Sequence, residues 1–355
     1  MAQDHVPEGL RYPWQTPPAP GADVIEVAAG VLWFRMPLPM KLDHVNIYAL
    51  DDGDKWTIID TGFCTAKAKK LWQALIAGPL KSKPIGRVIV THHHPDHVGL
   101  AGWFQTEFGA ELVMTRTAWL TARMLILDEQ ETMTPETYQF YQRAGMAPDM
   151  LSKRQQERPF NFADIAAPLP VGYTRIQQGD QILIGGRQWA VHIGNGHAPE
   201  HATFWSLDDN LVLGGDQMLP SISPNIGIYP TEPMADPISE WLEACERLAR
   251  LARPDHLVLG GHKLPFTGLP KRMEQLIENH HSGLKRLLAF LDEPKSAAGC
   301  FAPLFKRQIG EGEYGLALVE AAAHLSHLFQ QGLASRALRG SDGAWVYQSK
   351  GMRYG

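Results

Sequence analysis

The 355 residues predict an α/β fold in which helices pack on sheets, and three observations carry that expectation. Short apolar stretches alternate with helix-like ones: "GRVIVT" (86–91), "LAGWFQTEFG" (100–109) and "ELVMT" (111–115) read as strand, helix, strand. Apolar residues make up 44 % of the chain and charged residues 20 %, enough to build a sizeable core under an ordinary surface. The stretch "THHHPDHVG" (91–99) directly follows a predicted strand, so four histidines and a carboxylate are expected on one strand-end loop.

Taken in order, residues 1–22 are rich in proline and polar residues and are expected to form an extended arm. "DVIEVAAGVLWFRMPLP" (23–39) and "HVNIYALDDGDKWTIIDTG" (44–62) read as short strands, with a turn at "DDGD" (51–54). "TAKAKKLWQALIA" (65–77) is a helix stopped by Gly78-Pro79, and Gly109 stops the helix after the histidine loop. Residues 116–165 interrupt the rhythm as a helical insert rich in Met and aromatic residues. Strands return over 175–197 and 201–218, followed by a helix near 237–252 and a last strand in "HLVLGGH" (256–262). This places a main unit at 23–265. From 266 to 355 two long helices, 270–291 and 314–332, precede a hairpin around a Ser-Asp-Gly turn, which suggests a small winged-helix-like unit.

Charge and cysteine usage narrow the function classes. Net charge is −5, so the chain as a whole is not an evident nucleic-acid binder. Residues 266–355 hold 11 Lys+Arg against 8 Asp+Glu, whereas residues 1–265 hold 22 against 30. The basic residues of the C-terminal unit are scattered, so it is read as a packing or dimerisation module, which leaves a homodimer open. Cys64, Cys245 and Cys300 are far apart and odd in number, which argues against disulfides and thiolate zinc sites. The first residues lack a basic start and an apolar core, and no apolar run reaches membrane-spanning length, so a cytoplasmic protein is expected.

In "HHHPDH", His92 and His94 are two apart and can share one metal, while Asp96 and His97 serve a second. Pro95 stiffens the turn and lowers the entropic cost of gathering the donors. Further donors follow glycines at later strand ends: His197 in "GNGHAPEH", Asp216 in "LGGDQM" and His262 in "LGGH". The set becomes His92, His94 and His197 on one ion, Asp96, His97 and His262 on the other, and Asp216 between them. The plain alternative, a solvated polar turn, does not account for the downstream donors.

The ordered series Asp60-Thr61-Gly62, "HHHPDH", "GHAPEH", "GGD" and "GGH" resembles the metallo-β-lactamase superfamily, most closely its dinuclear hydrolase branch that includes glyoxalase II and lactonases. The resemblance spans residues 23–265. It implies an αββα sandwich with the site along one edge of two facing sheets. It also implies two divalent ions, zinc first and iron or manganese otherwise. A metal-bridging hydroxide would then attack an ester-like small-molecule substrate: a thioester, a lactone or a related acyl compound. The alternative is a metallo-nuclease cutting RNA or DNA phosphodiesters with the same ions. Glu200 stands where the family often has glycine, a departure that bears on the local turn.

Other roles are read residue by residue. Asp96 is expected to orient the nucleophile while ligating. Asp60 is expected to hold a ligand imidazole by its free N–H, and His201 either to do the same or to pack. His93, His192 and His256 are read as structural; His324 and His327 have ligand-like spacing but sit on a helix outside the main unit. The insert is the buried face of a helical hairpin, a lid over the cleft, or both, with Phe140 and Tyr141 as substrate contacts. Asn225 and Tyr229, in the loop after Asp216, are expected at the mouth of the site.

Overall fold

A computed structural model describes residues 6–21 and 23–355. Of the expected arm, residues 1–5 and 22 lie outside the described residues. The rest runs over the surface, buries Leu10 and Tyr12, and pairs Arg11 with Thr267.

In chain order the elements are β1 (Ile25–Ala28), β2 (Val31–Pro37), β3 (His44–Asp51), β4 (Trp56–Ile59), α1 (Ala66–Ala77), β5 (Ile85–Ile89), α2 (Pro95–Val98), α3 (Ala101–Phe108) and β6 (Glu111–Thr115). The insert contributes α4 (Arg116–Leu127), α5 (Pro135–Arg143) and α6 (Pro148–Gln156). Then come β7 (Thr174–Ile176), β8 (Gln181–Ile184), β9 (Arg187–Gly194), β10 (His201–Ser206), β11 (Leu211–Gly215), α7 (Pro237–Ala249) and β12 (Leu257–Gly260). The chain ends with α8 (Leu269–Phe290), α9 (Phe301–Phe305), α10 (Tyr314–Gln330) and the hairpin β13 (Ala334–Leu338) and β14 (Trp345–Ser349).

β1 to β7 form one sheet in sequence order, antiparallel up to β4 and parallel beyond it. β12-β11-β10-β9-β8 form the second sheet, with only β11 and β12 parallel. Strand alternation explains why the sheets face each other. On β2, β3 and β4, Trp33, Tyr48 and Ile59 join a core shared with Val191, Phe204 and Leu213 of the second sheet. Their neighbours Phe34, Ile47 and Ile58 point the other way, into a core with α1, α3 and α4. Trp72 of α1 anchors that outer layer, edge-on to Phe34 and Phe104, and its indole N–H donates to Thr61 O at 2.9 Å. α7 packs along α8 over the far face of the second sheet. The result is the expected layered sandwich, helices outside and two sheets within.

The regular elements of the insert are all helices, as its sequence indicates, and they do not stand apart from the rest of the chain. Arg143 donates to Gly343 O at 2.9 Å and Ala298 N to Ala144 O at 3.1 Å, so α5 is fastened to the C-terminal unit. Phe140, Ala144 and Met146 belong to the same core as Leu318, Ala323 and Tyr347.

α8 and α10 bring two neutral histidines into this core, 5.6 Å apart and stacked. Burial, helped by neighbouring charges, pushes the pKa of His280 down to about 3 and that of His324 to about 4. An unfolded chain protonates both near the ordinary value of about 6.5. Their share of stability is therefore intact above that pH and is lost as pH falls toward 4, at about 1.4 kcal/mol per pH unit for each. Urea unfolding at pH 7, 6 and 5 should show this slope, and His324→Asn should reduce it by one proton. An unchanged slope would remove His324 from the account.

Candidate metal centre

Four strand ends at one edge of the sandwich carry the expected donors, and backbone bonds tie those ends together. Asp60 N donates to Ile89 O, Ala202 N to Thr91 O, Gly261 N to Gly215 O and Asn46 N to Gly261 O, at 2.7–2.9 Å. The first joins β4 to β5 and the third β12 to β11, each within one sheet; Ala202 to Thr91 and Asn46 to Gly261 lock one sheet to the other.

Within this frame His92 Nε2, His94 Nδ1 and His197 Nε2 converge, with His94 Nδ1 3.0 Å from each of the other two. On the other side Asp96 Oδ2 lies 3.7 Å from His97 Nε2 and 3.4 Å from His262 Nε2. Asp216 stands between the two groups: Oδ1 is 3.5 Å from His97 Nε2, while Oδ2 is 3.6 Å from His197 and 3.2 Å from His262. His92–His94–His197, His92–His97–Asp216 and Asp96–His97–His262 each bring three donor atoms close enough to hold an ion.

In four of the five imidazoles, those of His92, His97, His197 and His262, the outer nitrogen is committed elsewhere, which aims the other inward. His97 Nδ1–H donates to Asp60 Oδ2 at 2.8 Å, and His262 Nδ1–H to His44 O at 2.7 Å. His197 Nδ1–H donates to Asn225 O at 2.8 Å. Thr91 gives its hydroxyl hydrogen to Asp60 and accepts from His92 Nδ1–H at 3.0 Å. Asp60 thus steadies two imidazoles, one directly and one through Thr91. It does so from the left-handed region, at φ 62°, where the chain leaves β4. His201 accepts the Asp216 N–H at 3.0 Å and stacks 4.6 Å from His92, so it supports the bridging acid and one ligand.

The charges of the cluster do not balance without a cation. Burial keeps His92 and His94 well below their ordinary pKa, hence neutral, and their lone pairs meet at 3.0 Å. Burial acts against charge on His97 and His262 as well, but Asp216 and its fellow carboxylates outweigh it and draw protons onto both rings. His97 Nε2 and Asp216 Oδ1 are buried with no hydrogen-bond partner. Converging lone pairs, excess carboxylate and orphaned donor atoms fit divalent cations held by nitrogen and oxygen.

A family model described as the metallo-beta-lactamase superfamily matches residues 40–262, which contain all of these donors. The chain belongs to the metallo-beta-lactamase superfamily. It is a metal-dependent hydrolase. A second model, the metallo-beta-lactamase-like C-terminal domain, matches residues 284–350. Among superfamily proteins, the chain is 28 % identical over 310 residues to the probable metallo-hydrolase YqjP of Bacillus subtilis, covering 84 % of this chain and 92 % of that one. A solved beta-lactamase domain protein from Burkholderia ambifaria is 34 % identical, covers 96 % of this chain and 97 % of its own, and superposes with a TM-score of 0.85. The metallo-beta-lactamase family protein TTHA1429 from Thermus thermophilus is 25 % identical, with coverages of 92 % and 100 % and a TM-score of 0.77.

The turn at Glu200 takes a left-handed backbone without glycine. Glu200 holds φ 47°, its carbonyl accepts from Thr115, and its carboxylate caps Thr117 N of α4 at 2.6 Å. The cost of the left-handed backbone is offset by a helix N-terminus that favours a carboxylate. His93 lies outside the donor groups, buried and stacked on Phe162. His192 and His256 are also away from the centre, the latter capping Arg253 N. His327 pairs with Asp236 and His324 with Glu320 O, and neither belongs to a donor group.

The four expected substrate contacts occupy different surroundings. Phe140 is buried in the seam between α5 and the C-terminal unit, beside Ile228 and Ala322. Tyr141 is half-buried under the Arg154 guanidinium, 5.5 Å from its ring centre. Tyr229 is 40 % exposed beside Asn225. The Asn225 carboxamide is engaged with α10, donating to Leu316 O and Glu320 Oε2.

Positioning residues that the motifs do not announce lie on β2 and β3. Asn46 donates to Gly260 O and Lys263 O, Tyr48 to Gly260 O, and Arg35 to Lys263 O, all at 2.8–2.9 Å. They hold the loop that presents His262. Their signal was the regular spacing of His44, Asn46 and Tyr48 in an otherwise apolar strand, three polar side chains on one inward face.

Proposed function

We propose that the chain binds two divalent ions and hydrolyses an ester-like acyl substrate, such as a thioester or lactone, in the manner of the glyoxalase II and lactonase branch. The observation that supports this best is Asp216, whose two oxygens face imidazoles of two different donor groups. His92, His94 and His197 would hold one ion, Asp96, His97 and His262 the other, and Asp216 both. Zinc is the expected metal, with iron or manganese as substitutes for the same donors. When bound, such ions would supply Lewis acidity and lower the pKa of a water toward neutrality.

The protein's own part is positional. Asp60, Thr91, His44 O and Asn225 O fix the imidazoles, and His201 fixes Asp216, so little reorganisation is needed during reaction. Asp96 is the more exposed of the two ligand acids and is suited to orient the nucleophile and take its proton. Tyr141 and Tyr229 offer aromatic surface to an acyl group on the His197 side. Phe140 stiffens that wall from behind, and Asn225 shapes its loop.

The three cysteines are unpaired, and no helix among the described residues is long and apolar enough to cross a membrane. A cytoplasmic enzyme acting on a small molecule, alone or as a homodimer, fits both observations. The C-terminal helices and hairpin are read as a winged-helix-like packing unit.

Reconstituted protein should carry about two ions per chain and turn over members of a thioester and lactone panel. A labelled RNA assayed alongside gives the decisive contrast. Metal-dependent RNA cleavage far faster than any ester turnover would replace this reading with the nuclease one.

A further inference from the structure

We propose that Asn225 and Glu320 form a positioning pair through which helix α10 of the C-terminal unit sets His197 for metal binding. This rests on reading His92, His94 and His197 as an ion site. His97 meets a carboxylate directly and His262 meets a carbonyl of a core strand. His197 instead donates to the carbonyl of a loop residue, Asn225 O, at 2.8 Å. A loop carbonyl can orient an imidazole only if the loop itself is fixed.

That fixation comes from the C-terminal unit. Asn225 Nδ2 donates to Glu320 Oε2 at 2.7 Å and to Leu316 O at 3.1 Å. Ile228 N donates to Val319 O at 3.2 Å. Between these anchors the loop lies so close to α10 that a Cβ on Gly227 would stand 2.8 Å from Val319 Cγ2. Upstream, Arg272 of α8 donates to Leu219 O and Ile222 O at 2.6 and 2.7 Å. The segment from Asp216 to Tyr229 is therefore laid along two helices that follow the donor-bearing region in sequence.

Glu320 has no basic side chain within ion-pair distance among the described residues; its near partner is the Asn225 amide. Burial lifts its pKa to about 7 against the Asn225 bond and the attraction of Arg307, which marks a costly place for an acid. The path from α10 to the metal ligand is thus carboxylate, carboxamide, carbonyl, imidazole, an extended form of the carboxylate–histidine arrangement that tunes metal sites.

The test is titration of the full-length apoprotein with Co²⁺, followed by visible absorption and chelator competition. Wild type should bind two ions. Asn225→Ala and Glu320→Ala should each weaken one ion roughly 10- to 100-fold and leave the other within about threefold. Glu320→Gln, whose amide oxygen still accepts from Asn225, should recover most of the affinity. Glu320→Ala lies on a different element and decides the matter if Asn225→Ala does not fold. No loss at either ion, or equal loss at both, overturns the pair. A wild-type stoichiometry of one ion would count against the dinuclear reading instead, and the pair would then stand or fall on that ion's affinity.

Discussion

Asp216→Asn is expected to reduce turnover by at least on the order of 10²- to 10³-fold and to lower ion content from about two per chain to about one. The side chain keeps its shape, so the fold should survive. What disappears is the negative charge that faces His97, His197 and His262 at 3.2–3.6 Å. Without it, His97 and His262 lose the largest of the attractions that oppose their burial. One oxygen also becomes an amide nitrogen, which has no lone pair for a metal. Elemental analysis beside the ester assay measures both effects. Two ions per chain with a rate within threefold of wild type would show that Asp216 is not shared.

Gly261→Ala should be nearly as damaging although it changes no ligand. A Cβ there would lie 2.2 Å from Asp216 Oδ1 and 2.8 Å from His97 Cε1. Its φ lies outside the left-handed region, so alanine is acceptable to the backbone and the conflict falls on the centre itself. Displacing a donor by about 1 Å costs roughly 10²-fold in activity. The expected outcome is a folded protein with weakened metal affinity and a rate lower by about that factor. Gly172→Ala, where a Cβ meets nothing within 4 Å, serves as the control. Equal behaviour of the two variants would show that the close packing at Gly261 is not needed.

The convergence of these histidines and aspartates was legible because strand-end clusters of such residues have few other uses, and the glycines before His197, Asp216 and His262 mark where backbone and side chains crowd. The layered fold was legible for a related reason, since strand alternation and helix stops are local signals. What stayed hidden depends on contacts distant in sequence. Nothing in the residues around 225 indicates that they rest on a helix some 90 positions later. Phe140 reads as an apolar lid residue because sequence shows its hydrophobicity but not the C-terminal surface that claims it. Glu200 reads from sequence as an awkward residue for a tight turn, and its bonds to Thr115, Thr117 and Asn195 are what hold it there.

The bonds that join the two sheets at the donor edge would give a bound cation a second role. His94 stands on the seven-stranded side and His197 on the five-stranded side, more than a hundred residues apart in the chain, yet their nitrogens lie 3.0 Å from each other. A cation gripped by both would act as a rivet, closing a long loop that would otherwise cost entropy to close. Chelation would then do more than silence chemistry: it would unfasten the sandwich at its open end.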